Sequence, residues 1–451
     1  MDFLQTHQVL LPVLLPLIGA LVAILVRKHY QVQQIWSFSI LLASFISSFG
    51  LLLSVLNRNV PLVYQLGGWE APVGIVFVAD LLAALFVLMV QLVMLAGLVY
   101  ALGSKDELTY YPMFYPLFLT MATSLSGAFL TGDIFNLFVF AELLVISGTV
   151  LTALSDDRYG VEAAFKYFYI SMLASVFLLL AIGSLYISYG SLNMADISQK
   201  VTQHGENLLL FPAIAFLMAS FMIKSAVFPF HFWQPDFHTA SPTPVSAMLS
   251  SIVVKLGVYG FLRMTTLLFV EQAGVIRGIL LIAGIIGVIF GGLSALGTHN
   301  VKRMLAYSTL AQIGFILVGI GWGTNLSIAA AIVFSFNHSL MKAAMLMLAG
   351  YVASHASVKS AAFNVVTGVG RKLPAAGLFF FLGAMALSGM PPTNGFLGKL
   401  MLFQGGFAAE RYVSLAIIGF ASILTLVYSF RAFQRIWWQE PGDGIYTKPS
   451  G

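Results

Sequence analysis

Residues 221–251 read FMIKSAVFPFHFWQPDFHTASPTPVSAMLSS, and everything else in the chain is interpreted from them. The stretch begins inside an apolar segment that carries one lysine, Lys224. Five residues on, Pro229 removes a backbone donor and interrupts the helix. His231, Asp236 and His238 follow, then Pro242 and Pro244, and a second apolar segment begins there and carries Lys255. A helix broken at a proline, with charge beside the break, gives water, protons or ions a way to the middle of a bilayer.

Composition supports a membrane setting. Of 451 residues 59% are hydrophobic and only 9% charged, against about 25% charged in soluble domains. The chain therefore reads as an all-α polytopic membrane protein embedded in a lipid bilayer. Hydropathy gives about thirteen spans, near 8–27, 35–56, 74–101, 111–131, 134–154, 163–187, 208–229, 244–267, 276–296, 302–322, 325–351, 374–390 with a continuation at 393–408, and 412–434. No short apolar region with a small-residue cleavage site stands apart at the start, so the first segment is expected to be a retained span. The stretch MADISQKVTQHGE, residues 194–206, is too polar to span and reads as an interfacial segment. The net charge of +5 is spread over loops and makes no nucleic-acid patch. The absence of cysteine excludes disulfides and cysteine-ligated iron–sulfur clusters.

Lys and Arg distribution sets an expected orientation. With the N-terminus outside, the cytoplasmic loops and tail hold Arg27, Lys28, Lys105, Arg158, Lys166, Lys302, Arg303, Lys359, Arg371, Lys372, Arg431, Arg435 and Lys448. The opposite side holds Arg58, Lys200, Arg263, Arg277 and Arg411. The positive-inside rule then puts the C-terminus in the cytoplasm. A symmetry accompanies this: Lys224 precedes its breaking Pro229, whereas Lys399 follows Pro391 and Pro392. Two broken helices with the lysine on opposite sides of the break suggest an inverted repeat, the arrangement with which many transporters build a midplane site.

A charge at the bilayer centre costs about 2.5–3.5 kcal/mol on insertion scales, so ionisable residues inside spans call for a use. Glu142, Lys224, Lys255 and Lys399 are four such residues, and His338 with Lys342 share one helix face by their i,i+4 spacing. Burial disfavours the charged form of a lysine or a glutamate, and a nearby opposite charge reverses the effect. A Glu142–Lys224 pair thus has two states, paired and charged or separated with one group neutral, and His338 suits a proton relay. Ser225, Ser250, Ser251, Ser335 and Thr393 offer hydroxyls to order water. Plainer roles stand beside these: Glu142 as a structural partner of two helices, Lys224 and Lys255 as snorkelling anchors, Lys399 as a partner of a helix C-terminus, and His338 and Lys342 as hydrogen-bonded core groups. Asp133 reads as a helix N-cap, and Asp80, early in its span, fits either a cap or a transport role. His231, Asp236 and His238 form no tight ligand set, so no metal and no cofactor are expected.

The segments FLTGDIFNLFVFAELLVISGTVL, IKSAVFPFHFWQPDFHTASPTPVSAMLSSIVVKLGVYGFLR, NVKRMLAYSTLAQIGFILVGIG, FNHSLMKAAMLMLAG and MPPTNGFLGKLMLF resemble the antiporter-like subunits of respiratory complex I and of Mrp-type multisubunit cation/proton antiporters. The resemblance covers roughly residues 75–435, and SLYISYGSLNMADIS and TASPTPVSA are most similar to the D-type members of the Mrp group. It implies three N-terminal spans (1–110), a first inverted five-helix repeat (111–267), a second (268–435) and a cytoplasmic tail (436–451), with broken seventh and twelfth helices. It also implies roles. Glu142 matches the family's essential glutamate of the fifth helix, Lys224 the lysine of the broken seventh, and Lys255 that of the eighth. His338 and Lys342 match the central polar positions of the eleventh helix, and Lys399 the lysine of the broken twelfth, near the proton exit. His231, Asp236, His238, Ser225 and Ser251 are accessory candidates. The family usually carries a fourteenth helix, and thirteen spans are counted here.

The expectation is a proton-translocating subunit of a multisubunit sodium/proton antiporter in the bacterial inner (plasma) membrane, partnered by other subunits and carrying no redox centre of its own. Two alternatives remain: a proton-pumping subunit of complex I or a membrane-bound hydrogenase, with the same local chemistry, and a transport-inert scaffold. The insertion cost of several mid-span charges argues against the last.

Overall fold

The computed structural model describes residues 7–104, 107–155, 158–356, 358 and 360–440. Lys105, Lys359, Lys448 and residues 441–451 of the expected tail lie outside the described residues. Each expected span has a helix. In order these are α1 (Leu11–Leu25), α2 (Tyr30–Arg58), α3 (Leu81–Gly103), α4 (Phe114–Leu130), α5 (Ile134–Ala153), α6 (Arg158–Tyr189), α7 (Met194–His204), α8 (Leu210–Lys224), α9 (Trp233–Ala240), α10 (Thr243–Met248), α11 (Lys255–Arg263), α12 (Ala273–Gly297), α13 (Val301–Trp322), α14 (Asn325–Ser354), α15 (Pro374–Ser388), α16 (Asn394–Ala408) and α17 (Tyr412–Phe433). Among the described residues nine helical stretches are long and apolar enough to cross a bilayer, or ten counting the bent pair Phe363–Lys372 and Pro374–Ser388. Leu11–Leu25, Phe114–Leu130 and Leu210–Lys224 are apolar but shorter, so thirteen is an approximate count.

Caps set several boundaries. Asp80 accepts from Ala83 N at 2.8 Å and opens α3. Asp133 accepts from Asn136 N at 2.7 Å and opens α5, in the role expected of it. A Thr324–Ser327 capping box opens α14. The third expected span, 74–101, starts later than hydropathy places it, because Val76–Ala79 is a strand paired antiparallel with Leu62–Gln65. An apolar strand and an apolar helix end carry the same hydropathy, so only the cap at Asp80 separates them. The seventh expected span, 208–229, ends early at Lys224, where Ala226 takes a left-handed φ of 52° ahead of Pro229. The segment expected at the interface is the helix α7, N-capped by Asn193.

The chain folds as two compact units, Met1–Ser225 with Ile252–Ala273, and Ala226–Ser251 with Gly274–Gly451. In the first, α1 packs on α2 and α4, α5 lies against α4 and α6, and α8 packs on α6 and α11. In the second, α14 is central and packs on α10, α13, α15 and α16, with α17 against α15 and α13. There α12 and α13 approach backbone to backbone: a Cβ on Gly284 would lie 2.8 Å from Gly314 O, and one on Gly291 would lie 2.6 Å from Ala311 N. Small residues at the contact are how membrane helices gain packing where lipid offers no hydrophobic drive. The most apolar part of Thr243–Leu268 is wholly buried, whereas only 28% of the corresponding part of α2 is. Exposed Ile35, Ile46, Tyr169, Ile282 and Phe379 face outward from the outer helices, as lipid-facing positions do.

Candidate functional site

In the first unit, Glu142 lies on α5, half-buried, and accepts a hydrogen bond from the Ser175 hydroxyl of α6. Lys224 is the last residue of α8 and is 8% exposed. Its Nζ has no hydrogen-bond partner among the described residues, though it lies within electrostatic reach of Glu142. Carboxylate and amine are therefore unbonded in this structure, and serine holds the carboxylate. Ser225, the next residue, is fully buried with an unpartnered hydroxyl. Lys255, fully buried, is the first residue of α11 and follows the π-helical turn Leu249–Val253. Such turns insert one residue into a helix and recur at functional sites.

The second unit holds the remaining candidates. His338 and Lys342 are fully buried on α14. The Lys342 Nζ donates to Leu305 O at 3.1 Å and to the Ser308 hydroxyl at 2.8 Å, both on α13. The Ser308 hydroxyl in turn lies 2.8 Å from the Tyr428 hydroxyl of α17. One turn further along α13, the Gln312 amide is buried, and among the described residues neither its oxygen nor its nitrogen meets hydrogen-bond geometry. Lys399, 5% exposed, donates to Ser388 O at 2.9 Å and sits 4.8 Å from the centre of the Phe315 ring. Ser388 ends α15, so Lys399 satisfies a C-terminal carbonyl across the proline break; Gly389, at φ 81°, turns the chain there. Ser250 and Thr309 hydroxyls are 2.5 Å apart, and Ser339 donates to Ser251 O at 2.7 Å. The hydroxyls of Ser251, Ser335 and Thr393 donate to Ala247 O, Ala331 O and Met390 O.

The accessory candidates part company. His231 stacks on Phe228 and meets Phe290 edge to face. Asp236 pairs with Arg303 at 3.3 Å. His238 is fully buried on α9, its Nδ1 is 3.1 Å from the Ser246 hydroxyl, its Nε2 has no hydrogen-bond partner among the described residues, and the charges of Lys342 and Lys302 bear on it. Lys302, counted above as a loop charge, is itself buried and reaches Ser241 O at 3.4 Å. No three His, Cys, Asp or Glu side chains gather as metal ligands among the described residues.

Some groups escape the sequence reading. Tyr428, Ser308 and Gln312 carry no charge, and only their polarity inside apolar spans marks them. Arg263 is placed with the loop charges by sequence, but lies at the end of α11 within the span Thr243–Leu268. It makes a two-pronged ion pair with Asp80, at 2.5 and 2.8 Å. Burial works to raise the Asp80 pKa, but the bonds and charge of Arg263 and the Ala83 amide outweigh it and hold the carboxyl below its usual value.

Comparison with known proteins gives a consistent picture. The family described as NADH:quinone oxidoreductase/Mrp antiporter, transmembrane, matches residues 131–425. The chain is 32% identical over 432 residues to the D-type subunit of the Na(+)/H(+) antiporter of Bacillus subtilis, covering 96% of this chain and 87% of that one. It is 34% identical over 438 residues to the N-type subunit of the NADH-quinone oxidoreductase of Desulforudis audaxviator, covering 96% and 86%. Its fold superposes on a chain of the Mrp complex from Dietzia sp. with a TM-score of 0.91 and 26% identity, covering 99% of this chain and 84% of that one. A chain of an archaeal membrane-bound sulfane sulfur reductase gives 0.90 and 27%, covering 98% and 90%.

Proposed function

The chain belongs to the NADH:quinone oxidoreductase/Mrp antiporter transmembrane family, and from that premise we propose that it is a proton-translocating subunit of a multisubunit sodium/proton antiporter. One observation carries the reading. Lys342 and Lys399 are buried and held by neutral carbonyl, hydroxyl and ring groups alone. Among the described residues neither these two nor Lys224 forms an ion pair. An ammonium on neutral oxygens can give up its proton without stranding a partner carboxylate, which a structural salt bridge cannot.

In this reading Glu142 and Lys224 gate the path. Ser175 holds the carboxylate while Lys224 is free, and pairing of the two groups is the alternative state. Lys255, His338, Lys342 and Lys399 pass the proton on, with water ordered at Ser225, Ser251 and the unpartnered Gln312 amide. The repeats are 111–267 and 268–435, the N-terminus faces outward, and the chain works as a transporter subunit rather than an enzyme. The test is cation-driven proton movement in vesicles holding the assembled complex. Glu142→Ala and Lys224→Ala are each expected to abolish exchange while the complex still assembles, and wild-type exchange in either would remove the gate.

The likeness to an N-type NADH-quinone oxidoreductase subunit favours a second reading, in which the same residues pump protons within a redox-driven complex. Purification under native conditions separates the two: iron–sulfur or flavin subunits accompany the chain only in the second.

A further inference from the structure

The Asp80–Arg263 pair has no part in the path above, yet it grips the helix that carries Lys255. We propose that Arg263, fixed by Asp80 and Tyr259, is a positioning residue that sets the register of α11 and with it the place of the Lys255 side chain. The inference rests on the transport reading in needing Lys255 to act.

The helix cannot hold its own register. It is nine residues long and is bounded by π-helical turns, Leu249–Val253 before and Met264–Leu268 after. It is continuous with the rest of the span Thr243–Leu268, but a π turn can shift by one residue, moving a side chain by about 1.5 Å and about 100°. Contacts outside the helix must choose the register, and two do. On one face a Cβ at Gly257 would overlap Phe221 O, and one at Gly260 would lie 2.6 Å from the Phe221 ring, so α8 presses directly on the backbone. That contact admits no side chain at either glycine, so it holds α11 where Gly257 and Gly260 face α8.

The other face is locked. Lys255, Tyr259 and Arg263 are spaced four residues apart and share it, with Arg263 about 12 Å along the axis from Lys255 and about 80° round it. The Arg263 fork donates to both Asp80 oxygens. Its Nε and Nη2 donate to the Tyr259 hydroxyl at 2.9 and 2.6 Å, and that hydroxyl donates to Phe129 O at 2.6 Å. Asp80 is itself anchored by its bond to Ala83 N. A one-residue shift of α11 breaks the bonds that leave the helix, from Arg263 to Asp80 and from Tyr259 to Phe129 O, whereas lysine in place of Arg263 keeps the charge and loses the fork.

The chain has no cysteine, so Lys255→Cys supplies a single reporter in it. In the assembled complex, the rate at which a small water-soluble maleimide modifies Cys at 255 is expected to change several-fold when Asp80→Asn or Arg263→Lys is added, and to return with Asp80→Glu. With Lys255 intact, the same two substitutions are expected to lower exchange by about ten- to a hundredfold, as small misplacements of reacting groups do. If Asp80→Asn prevents assembly, Arg263→Lys, which keeps the charge and the Asp80 cap, carries the labelling test alone. Unchanged labelling in Arg263→Lys overturns the proposal, as does altered labelling with wild-type exchange. Wild-type exchange in Lys255→Ala overturns the transport role of Lys255 instead, and the labelling still decides whether the clamp sets the helix.

Discussion

At Lys342 a buried ammonium is held by a carbonyl and a hydroxyl, and the hydroxyl is shared with Tyr428. Ser308→Ala leaves the ammonium one oxygen short, at a cost of roughly 1–3 kcal/mol. Exchange in vesicles is expected to fall several-fold, and Tyr428→Phe to have a smaller effect of the same sign, because Ser308 keeps its bond to Lys342. Full exchange in both variants would show that the hydroxyls only pack. Asp80 gives a prediction about pH. A carboxyl whose pKa folding depresses contributes stability that is complete above its unfolded-state value, about 3.9, and is lost as pH falls through the lower folded value. Arg263 holds Asp80 low, so the difference in melting temperature between wild type and Asp80→Asn is expected to stay level from about pH 9 to about pH 5 and to close below about pH 4. Closure near neutrality would mean that the pair titrates in the working range. The charged residues were legible because each is an anomaly in an apolar span. Gln312 and Tyr428 were not, since one amide or phenol in a span has many uses and only the burial of both Gln312 amide atoms without partners singles it out.

Among the elements, α11 depends most on close contact. A methyl group on Gly257 would overlap both the Ser225 hydroxyl oxygen and Phe221 O. Gly257→Ala is therefore expected to destabilise the protein by about 1–3 kcal/mol, read as a lower melting temperature and less assembled complex. The same substitution at Gly183 of α6, which has nothing within 4 Å, is expected to be neutral or slightly stabilising, since alanine favours helix. Equal effects at the two sites would mean that α8 and α11 do not touch as described. The helices themselves were readable from hydropathy, and their ends only where a side chain marked them. Asp133 before α5 announces its cap, whereas the Val76–Ala79 strand merges with α3 in any hydropathy window. Both π turns around α11 were invisible, because an i→i+5 bond leaves no residue signature in LSSIVVKLGVYGFLRMTTLL.

Across the whole molecule, the two compact units are discontinuous in sequence: 226–251 belongs with the C-terminal part and 252–273 with the N-terminal part. Periodicity cannot reveal such an arrangement, because it depends on which helices pack together and not on where the apolar runs lie. Orientation is a different kind of property, written in loop charge and independent of packing. With Arg58 just before the β hairpin, and Arg371 and Lys372 at the turn before α15, the positive-inside rule puts the hairpin outside and that turn in the cytoplasm. Trp69 is 69% exposed in the hairpin segment and Arg371 is exposed in its turn. The absence of native cysteine makes each a clean labelling position. Trp69→Cys is expected to react with a membrane-impermeant maleimide in intact cells, and Arg371→Cys only after the membrane is opened. The reverse pattern would invert the topology, exchanging the entry and exit sides of the proposed path while leaving its buried residues where they are.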